Sequence, residues 1–273
     1  MNVYHRFLGD VIHEYIQLPL KVIMKNINLK NGFLVTDDAD KPIKQHDVIL
    51  CDGRIDLSPK AEKCEKVIDL AGKYIVPGFV DIHFHGYNLF EFTSGLYDLK
   101  KQTYDNSDTA YRQGFEMLRK KLARFGVTGF YVASGAESTE TLKRCYRCLA
   151  DYLDGPDDNT LGARLLGGML EGPFINPDMS GAMNPELVLE PSRESFDAIE
   201  DGGTIKLANV IPDAGRKSCE LIEYLTQKGV VVGAGHTNAT FNQVAEAVKA
   251  VSYTHLRAHE TSLQLVCRLL LEK

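Results

Sequence analysis

The strongest constraint on the fold is an alternation of strand-like and helix-like segments that runs from residue 74 to residue 250. Short apolar runs, the first of them rich in β-branched residues, alternate there with segments whose apolar residues recur at helical spacing. Such alternation predicts parallel strands joined by crossover helices. The predicted strands follow one another at about 35 residues per unit, which is typical of a (β/α)₈ TIM-like barrel. They lie at 74–82, 128–134, 164–170, 204–210 and 230–234.

An open doubly wound sheet is the alternative architecture, and it would carry a glycine-rich phosphate loop after its first strand. The segment His83-Phe-His85-Gly86 stands at that position instead. Glu171 and His236 likewise stand where later strands end, and barrels of this kind place their catalytic groups at strand C-terminal ends. The sequence therefore predicts an α/β fold in which a small N-terminal β-sandwich segment precedes an incomplete (β/α)₈ barrel.

The chain divides by pattern into four segments. Residues 1–20 match no clear period and are interpreted as an N-terminal extension. Residues 21–72 alternate short β-like runs with turns, and they predict the small β-sandwich segment. Residues 73–250 form the predicted partial barrel, and residues 251–273 form a tail that does not continue its pattern.

Composition excludes several classes of function. With 37 acidic and 31 basic residues the net charge is -6, and no Lys/Arg block predicts a nucleic-acid partner. No apolar run approaches the ~18 residues of a membrane-spanning helix, so no membrane partner is expected. The six cysteines are scattered, which favours a reducing cytoplasm. Cys145 and Cys148 form a C-x-x-C inside a predicted helix over 138–152, which indicates two half-buried thiols rather than a metal or redox site.

The H-x-H pair at the end of the first barrel strand carries the clearest chemistry. Residues two apart in a strand point to the same side, so His83 and His85 can aim two imidazoles at one point. A divalent metal is the natural occupant of such a pair. The pattern predicts a metal site.

Glu171 and His236 are the second and third candidates. Glu171 closes an apolar strand and precedes a Gly-Pro turn, so it is either a metal ligand or a salt-bridged strand end. His236 follows the small residues of Gly233-Ala-Gly235, which allow close backbone approach. Thr237 or Thr240 is then expected to cap the next helix.

Together these motifs resemble those of the amidohydrolase superfamily, and within it the N-acetylglucosamine-6-phosphate deacetylase family. The H-x-H after Val76-Pro-Gly-Phe-Val-Asp81 is shared by many amidohydrolases, whereas the strings Leu170-Glu-Gly-Pro-Phe174 and Gly235-His-Thr-Asn-Ala-Thr240 are more specific to the deacetylases. The resemblance covers about residues 24–250. It implies a metal-bearing barrel that hydrolyses N-acetyl-D-glucosamine 6-phosphate to D-glucosamine 6-phosphate and acetate.

The resemblance also implies site residues and partners. One metal, Zn or Fe, would be held by Glu171, His236 and the His255 of a T-H-L string, and His83 and His85 would serve a second metal in members that keep it. The family's general-base Asp lies on a strand later than residue 250, so no catalytic residue is assigned here. The implied partners are a small-molecule amino-sugar phosphate and a second copy in a homodimer.

Two segments depart from the family pattern. The family carries a substrate-contacting His or Gln in a string represented here by Ala182, Met183 and Asn184. Met183 cannot donate a hydrogen bond to a sugar hydroxyl, although Asn184 can. In the tail, the residues after Thr254-His-Leu256 leave the family pattern, and His259 is interpreted as incidental. The sequence is therefore expected to be a C-terminally truncated, inactive fragment whose residues 251–273 are not native.

Two other functions stay open at this point. One is another amidohydrolase activity, such as that of an isoaspartyl dipeptidase or a dihydroorotase-like enzyme. The other is a non-catalytic protein that binds a sugar phosphate on the same scaffold, for which Met183 is the main support.

Overall fold

The structure of the chain is a computed structural model that describes residues 26–36, 40–51, 54–56, 64–156 and 162–250. The interpretations of residues 1–20 and 251–273, including the predicted ligand His255, lie outside the described residues. None of the described helices has both the length and the apolarity to cross a bilayer.

The chain separates into two compact units. Unit 1 contains the described residues within Met1–Asp81, Glu116–Phe130 and Asp158–Leu165. Unit 2 contains those within Ile82–Phe115, Tyr131–Asp157 and Leu166–Lys273.

The described residues form sixteen strands and five α-helices. The strands are β1 (Asn26–Lys30), β2 (Phe33–Val35), β3 (Ile43–Gln45), β4 (Val48–Cys51), β5 (Arg54–Asp56), β6 (Lys66–Asp69), β7 (Tyr74–Ile75), β8 (Phe79–Phe84), β9 (Gly86–Tyr87), β10 (Phe90–Glu91), β11 (Gly95–Asp98), β12 (Thr103–Asp105), β13 (Val127–Ser134), β14 (Arg164–Leu170), β15 (Ile205–Asn209) and β16 (Val231–Gly233). The helices are α1 (Asp108–Ala123), α2 (Thr139–Leu153), α3 (Arg193–Asp197), α4 (Arg216–Gln227) and α5 (Phe241–Lys249).

Two small sheets lie in unit 1. One has the strand order β5-β4-β1-β6 and the other β3-β2-β7. Strand β1 pairs antiparallel with β4 and parallel with β6, so the first of these sheets is mixed. Their shared core consists of Leu29, Val48, Leu70 and Ile75, all of them buried.

The predicted barrel strands form one five-stranded sheet with the order β16-β15-β14-β13-β8. Strands β14, β15 and β16 pair in parallel, and helices connect the strands. Each barrel strand thus lies beside the next one along the chain, which is the arrangement of a TIM-like barrel and confirms the predicted fold class. The carboxyl ends of neighbouring strands consequently lie at one edge of this sheet.

Two stretches differ from the predicted pattern. The predicted strand over 74–82 is two strands, β7 and β8, because Pro77 lies between them and has no backbone N–H for a ladder. Residues 86–105 form an additional antiparallel sheet of order β12-β11-β10-β9. Its strands have two to four residues, too few to show a period of two in the sequence.

Candidate metal centre

The candidate site lies at strand ends within unit 2. Strand β8 carries His83 near its end, and His85 follows this strand directly. Glu171 follows β14, and His236 lies three residues after β16. The parallel sheet thereby brings His83 and His236 together, although they are 153 positions apart in the sequence.

Glu171 is the centre of this group. Its Oε1 lies 3.2 Å from His83 Nε2 and 3.1 Å from His236 Nε2, and its Oε2 lies 3.1 Å from His85 Nε2. The Nε2 atoms of His83 and His85 are themselves 3.1 Å apart. The Glu171 side chain is 7% exposed, so the carboxylate is held by imidazoles rather than by water.

The donor set fits a divalent metal ion. His83, His85 and Glu171 each offer one ligand atom within 4.8 Å of the others, and within the described parts of the chain they are the one group of this kind. His236 contacts the same carboxylate oxygen as His83. Imidazole nitrogens combined with a carboxylate oxygen are typical ligands of zinc and of iron(II). The structure therefore contains a candidate metal site built on these four side chains.

The ring of His236 is fixed by a contact on its other nitrogen. Nδ1 lies 2.7 Å from the backbone oxygen of Met179, and a carbonyl oxygen can only accept. Nδ1 therefore carries the proton of this contact, and Nε2 is the nitrogen left to face Glu171. Metal-binding histidines commonly donate their second N–H in this way.

Electrostatics at the site agree with a carboxylate that stays ionised. Burial works to raise the pKa of Glu171, but hydrogen bonds from His83 and His85 outweigh it and hold the pKa of this carboxyl well below its usual range. The hydrogen bond to Glu171 in turn raises the pKa of His85 above its ordinary value. Hydrogen bonding between the imidazoles and the ionised carboxylate favours the charged form of each group, which accounts for both directions.

The position directly after Glu171 requires a glycine, because the backbone there passes close to Ala136. A Cβ on Gly172 would lie 2.5 Å from the backbone nitrogen of Ala136, closer than any side chain can approach. The Gly172-Pro173 peptide bond is cis. The backbone of this segment thus passes directly against the end of β13, and only glycine allows that approach.

The residues predicted to bind substrate lie in a segment that contacts His236. Gly181 is close enough that a Cβ there would lie 3.5 Å from His236 Cε1. In the same segment, Met183 Sδ accepts a hydrogen bond from the backbone N–H of Ala136, and Asn184 Oδ1 caps a 3₁₀ turn by accepting from Glu186 N–H. Ala182 is exposed. A substrate role for Ala182, Met183 and Asn184 stays a prediction.

Two groups at the site were not singled out from the sequence. The Met179 carbonyl has no side-chain signature, so nothing in the sequence reveals its contact with His236. Asp213, whose carboxylate accepts hydrogen bonds from Thr237 and Asn238, does have a signal. It is an acidic residue four positions after strand β15, near the edge that carries Glu171 and His236.

Known proteins resemble this chain over most of its length. An N-acetylglucosamine-6-phosphate deacetylase from Caenorhabditis elegans is 31% identical over 256 residues, which cover 91% of this chain and 56% of that protein. The deacetylase of the same name from Lysinibacillus sphaericus is 28% identical over 243 residues, covering 87% of this chain and 56% of that protein. The chain thus spans about half the length of the curated relatives it matches. No protein-family model matches it.

Solved structures share the fold. An N-acetyl-D-glucosamine-6-phosphate deacetylase from Mycobacterium smegmatis, solved as a mutant with N-acetyl-D-glucosamine-6-phosphate, has a TM-score of 0.65 at 21% identity and covers 86% of this chain and 57% of its own. The Thermotoga maritima deacetylase has a TM-score of 0.59 at 25% identity, with 82% of this chain and 52% of its own covered.

Proposed function

We propose that this chain, which is homologous to the N-acetylglucosamine-6-phosphate deacetylases over most of its length, provides the metal-binding part of an enzyme that hydrolyses N-acetyl-D-glucosamine 6-phosphate to D-glucosamine 6-phosphate and acetate. The observation that carries the proposal is the convergence of His83, His85 and His236 on the buried carboxylate of Glu171.

Each of these side chains has a part in the proposed chemistry. Glu171 and His236 would hold the ion, and His83 and His85 would complete its coordination or hold a second ion. A bound divalent ion polarises an amide carbonyl and provides hydroxide at neutral pH. The carboxylate stays ionised because imidazoles surround it, and the Met179 contact keeps His236 Nε2 directed at the site. Burial of Glu171 reduces competition from water.

The finer assignments belong to the same proposal. Zn²⁺ or Fe²⁺ suits a site of imidazoles and one carboxylate, with one or two ions per subunit. The substrate is a small amino-sugar phosphate, as in the Mycobacterium smegmatis structure, whose protein is bound to that molecule. The family resemblance supports a homodimer in the cytoplasm.

Metal binding is the first test. Titration of the metal-free chain with Zn²⁺ in a calorimeter should show tight binding that is lost in Glu171→Gln, because the substitution removes the charge that three imidazoles face. Glu220→Gln is the matched control, since Glu220 is exposed and pairs with Arg216 on the surface of α4. Equal Zn²⁺ affinity in Glu171→Gln and the parent chain would contradict the proposed site.

Substrate selection is the second test. The Zn²⁺-loaded chain should bind N-acetyl-D-glucosamine 6-phosphate, and the same titration with Glu171→Gln should show none. Turnover of an isoaspartyl dipeptide or of dihydroorotate would instead indicate a different amidohydrolase. Failure to bind the sugar phosphate would contradict the proposed substrate.

A further inference from the structure

His236 has a backbone conformation that its neighbours must maintain. Its φ is 51°, in the left-handed region that residues with a Cβ seldom adopt. Such a conformation persists only where the surrounding structure fixes it, and it is most common at functional sites. The direction of the His236 ring therefore depends on what holds the chain on both sides of this residue.

The chain before and at His236 is held by backbone contacts. Val210 N–H donates to the oxygen of Gly233 at 3.0 Å, which anchors the end of β16 against β15. The oxygen of His236 accepts from Asn176 N–H at 2.9 Å, and the ring contacts Met179. These contacts fix the chain as far as the His236–Thr237 peptide group, and none of them involves the Thr237 side chain or Asn238.

Asp213 restrains that following segment with both carboxylate oxygens. Thr237 Oγ1 donates to Asp213 Oδ2 at 2.6 Å, and Asn238 N–H donates to Asp213 Oδ1 at 3.1 Å. Thr237 Oγ1 also accepts from Ala239 N–H at 3.1 Å. One half-buried carboxylate thus fixes the two residues directly after His236 and, through the Thr237 hydroxyl, the next one as well.

We infer that Asp213 is a positioning residue for His236: it holds Thr237 and Asn238 so that the His236 imidazole faces Glu171. The inference rests on the proposed metal-binding function of that imidazole. A carboxylate suits the task better than an amide, because it offers two acceptors and no donor to the two groups that donate to it. The Thr237 hydroxyl suits its own place because it donates to Asp213 and accepts from Ala239 at the same time.

The test compares four variants with the parent chain. Asp213→Ala removes both acceptors, and Asp213→Asn keeps one of them. Thr237→Val removes the hydroxyl with little change of shape, and Thr237→Ser restores it. Thr240→Val is the matched control, because the Thr240 hydroxyl caps helix α5 by accepting from Gln243 N–H and does not bond to Asp213.

Two measurements distinguish the role of Asp213 from metal binding at the site. The first is the ring ¹⁵N spectrum of His236 in the metal-free chain, which reports the Nδ1 contact with Met179. Asp213→Ala and Thr237→Val should shift that signal, whereas Thr237→Ser and Thr240→Val should not. The second is Zn²⁺ affinity by calorimetry, which should fall about 10- to 100-fold in Asp213→Ala and Thr237→Val, less in Asp213→Asn, and recover in Thr237→Ser.

The outcomes are distinguishable. If the parent chain binds no Zn²⁺, the proposed function fails, and the His236 spectra alone decide the role of Asp213. Unchanged His236 spectra in both Asp213→Ala and Thr237→Val would overturn the inference whether or not metal binds. If Asp213→Ala does not fold, Asp213→Asn and the Thr237 pair supply the same comparison. A fall in affinity as large in Thr240→Val as in Thr237→Val would also overturn it.

Discussion

Met183 belongs to the segment predicted from the sequence to contact substrate, and its side chain has a structural partner in this chain. Its sulfur accepts a hydrogen bond from Ala136 N–H at 3.0 Å. Its side chain also packs on a small cluster of Ala136, Ile175 and Ile211. Met183 therefore links the segment that contacts His236 to the end of strand β13.

Met183→Ala should lower the free energy of unfolding by about 1–2 kcal/mol, below the usual cost for a fully buried methionine because the side chain is half-buried. Zn²⁺ affinity should not change, since the Met183 side chain bonds to Ala136 N–H and packs on Ile175 and Ile211. Met179→Ala is the matched control in the same segment: its side chain is 41% exposed, and its backbone oxygen remains in place for His236. Urea unfolding and calorimetry measure both quantities. A loss of Zn²⁺ affinity with unchanged stability would show that the role of Met183 has been misassigned.

At the residue scale, the sequence predicts which side chains lie at the candidate site, but it does not predict which of them contact one another. The spacing of His83 and His85 shows that both rings leave β8 on one side. Spacing alone could not show that these rings and His236 face the same carboxylate, because that depends on the order of neighbouring strands. The contact of the Met179 carbonyl was beyond sequence reasoning, since every residue has such a group.

Helix α2 buries the C-x-x-C motif of Cys145 and Cys148, so these thiols are not available as a metal or redox site. Cys145 and Cys148 are fully buried on its inner face, more deeply than the half-burial predicted from the helical spacing. Cys145 Sγ lies 3.1 Å from Tyr111 Oη, and the thiol of Cys148 donates to Asp108 at 3.5 Å. Burial raises the pKa of both thiols, that of Cys148 to about 11. Both groups are therefore neutral at physiological pH.

Alkylation of the folded chain should follow this burial. A raised pKa favours the neutral thiol, so at pH 8 only about one Cys148 side chain in a thousand is the reactive thiolate, and the reaction should accelerate as the pH rises towards 11. Iodoacetamide should modify Cys145 and Cys148 more slowly than the half-buried Cys219. Peptide mapping by mass spectrometry gives the three rates, and they should become equal in denaturant. A Cys145–Cys148 disulfide formed under mild oxidation of the folded chain would contradict this account.

The elements of the barrel were predictable because their signals are local. Apolar runs predict four of the five strands nearly at their observed positions, and Thr240, one of the two threonines expected to cap the next helix, is the N-cap of α5. The sequence predicts the first strand, 74–82, as one continuous element, but Pro77 divides it into β7 and β8. The sequence does not predict the sheet of β9 to β12, because its strands are too short to show a period; Phe92, directly after β10, packs edge-on against Tyr111 and Tyr146. That packing joins distant parts of the sequence and leaves no periodic signal.

At the scale of the whole molecule, all four metal-site side chains belong to unit 2, although they come from three separate strand ends. In the unfolded chain the His83–His85 pair is far from Glu171 and from His236, so an ion that binds all four side chains binds the folded form preferentially. Binding of an ion at the proposed site would therefore be coupled to folding of this unit. The coupling provides a test that does not depend on catalysis.

Zn²⁺ should raise the unfolding midpoint of the chain, and at a free concentration of 100 times Kd the added stability should be about 2.7 kcal/mol. Chelation should reverse the increase. In hydrogen exchange, the added protection should concentrate at the ends of β8, β14 and β16, because these strands carry the proposed ligands. Glu171→Gln should show neither effect, since a neutral amide replaces the carboxylate that the imidazoles contact. Glu220→Gln should respond like the parent chain. Equal stabilisation of Glu171→Gln would mean that Zn²⁺ acts elsewhere on the chain, and protection at β1 or β4 instead would place its binding site in unit 1.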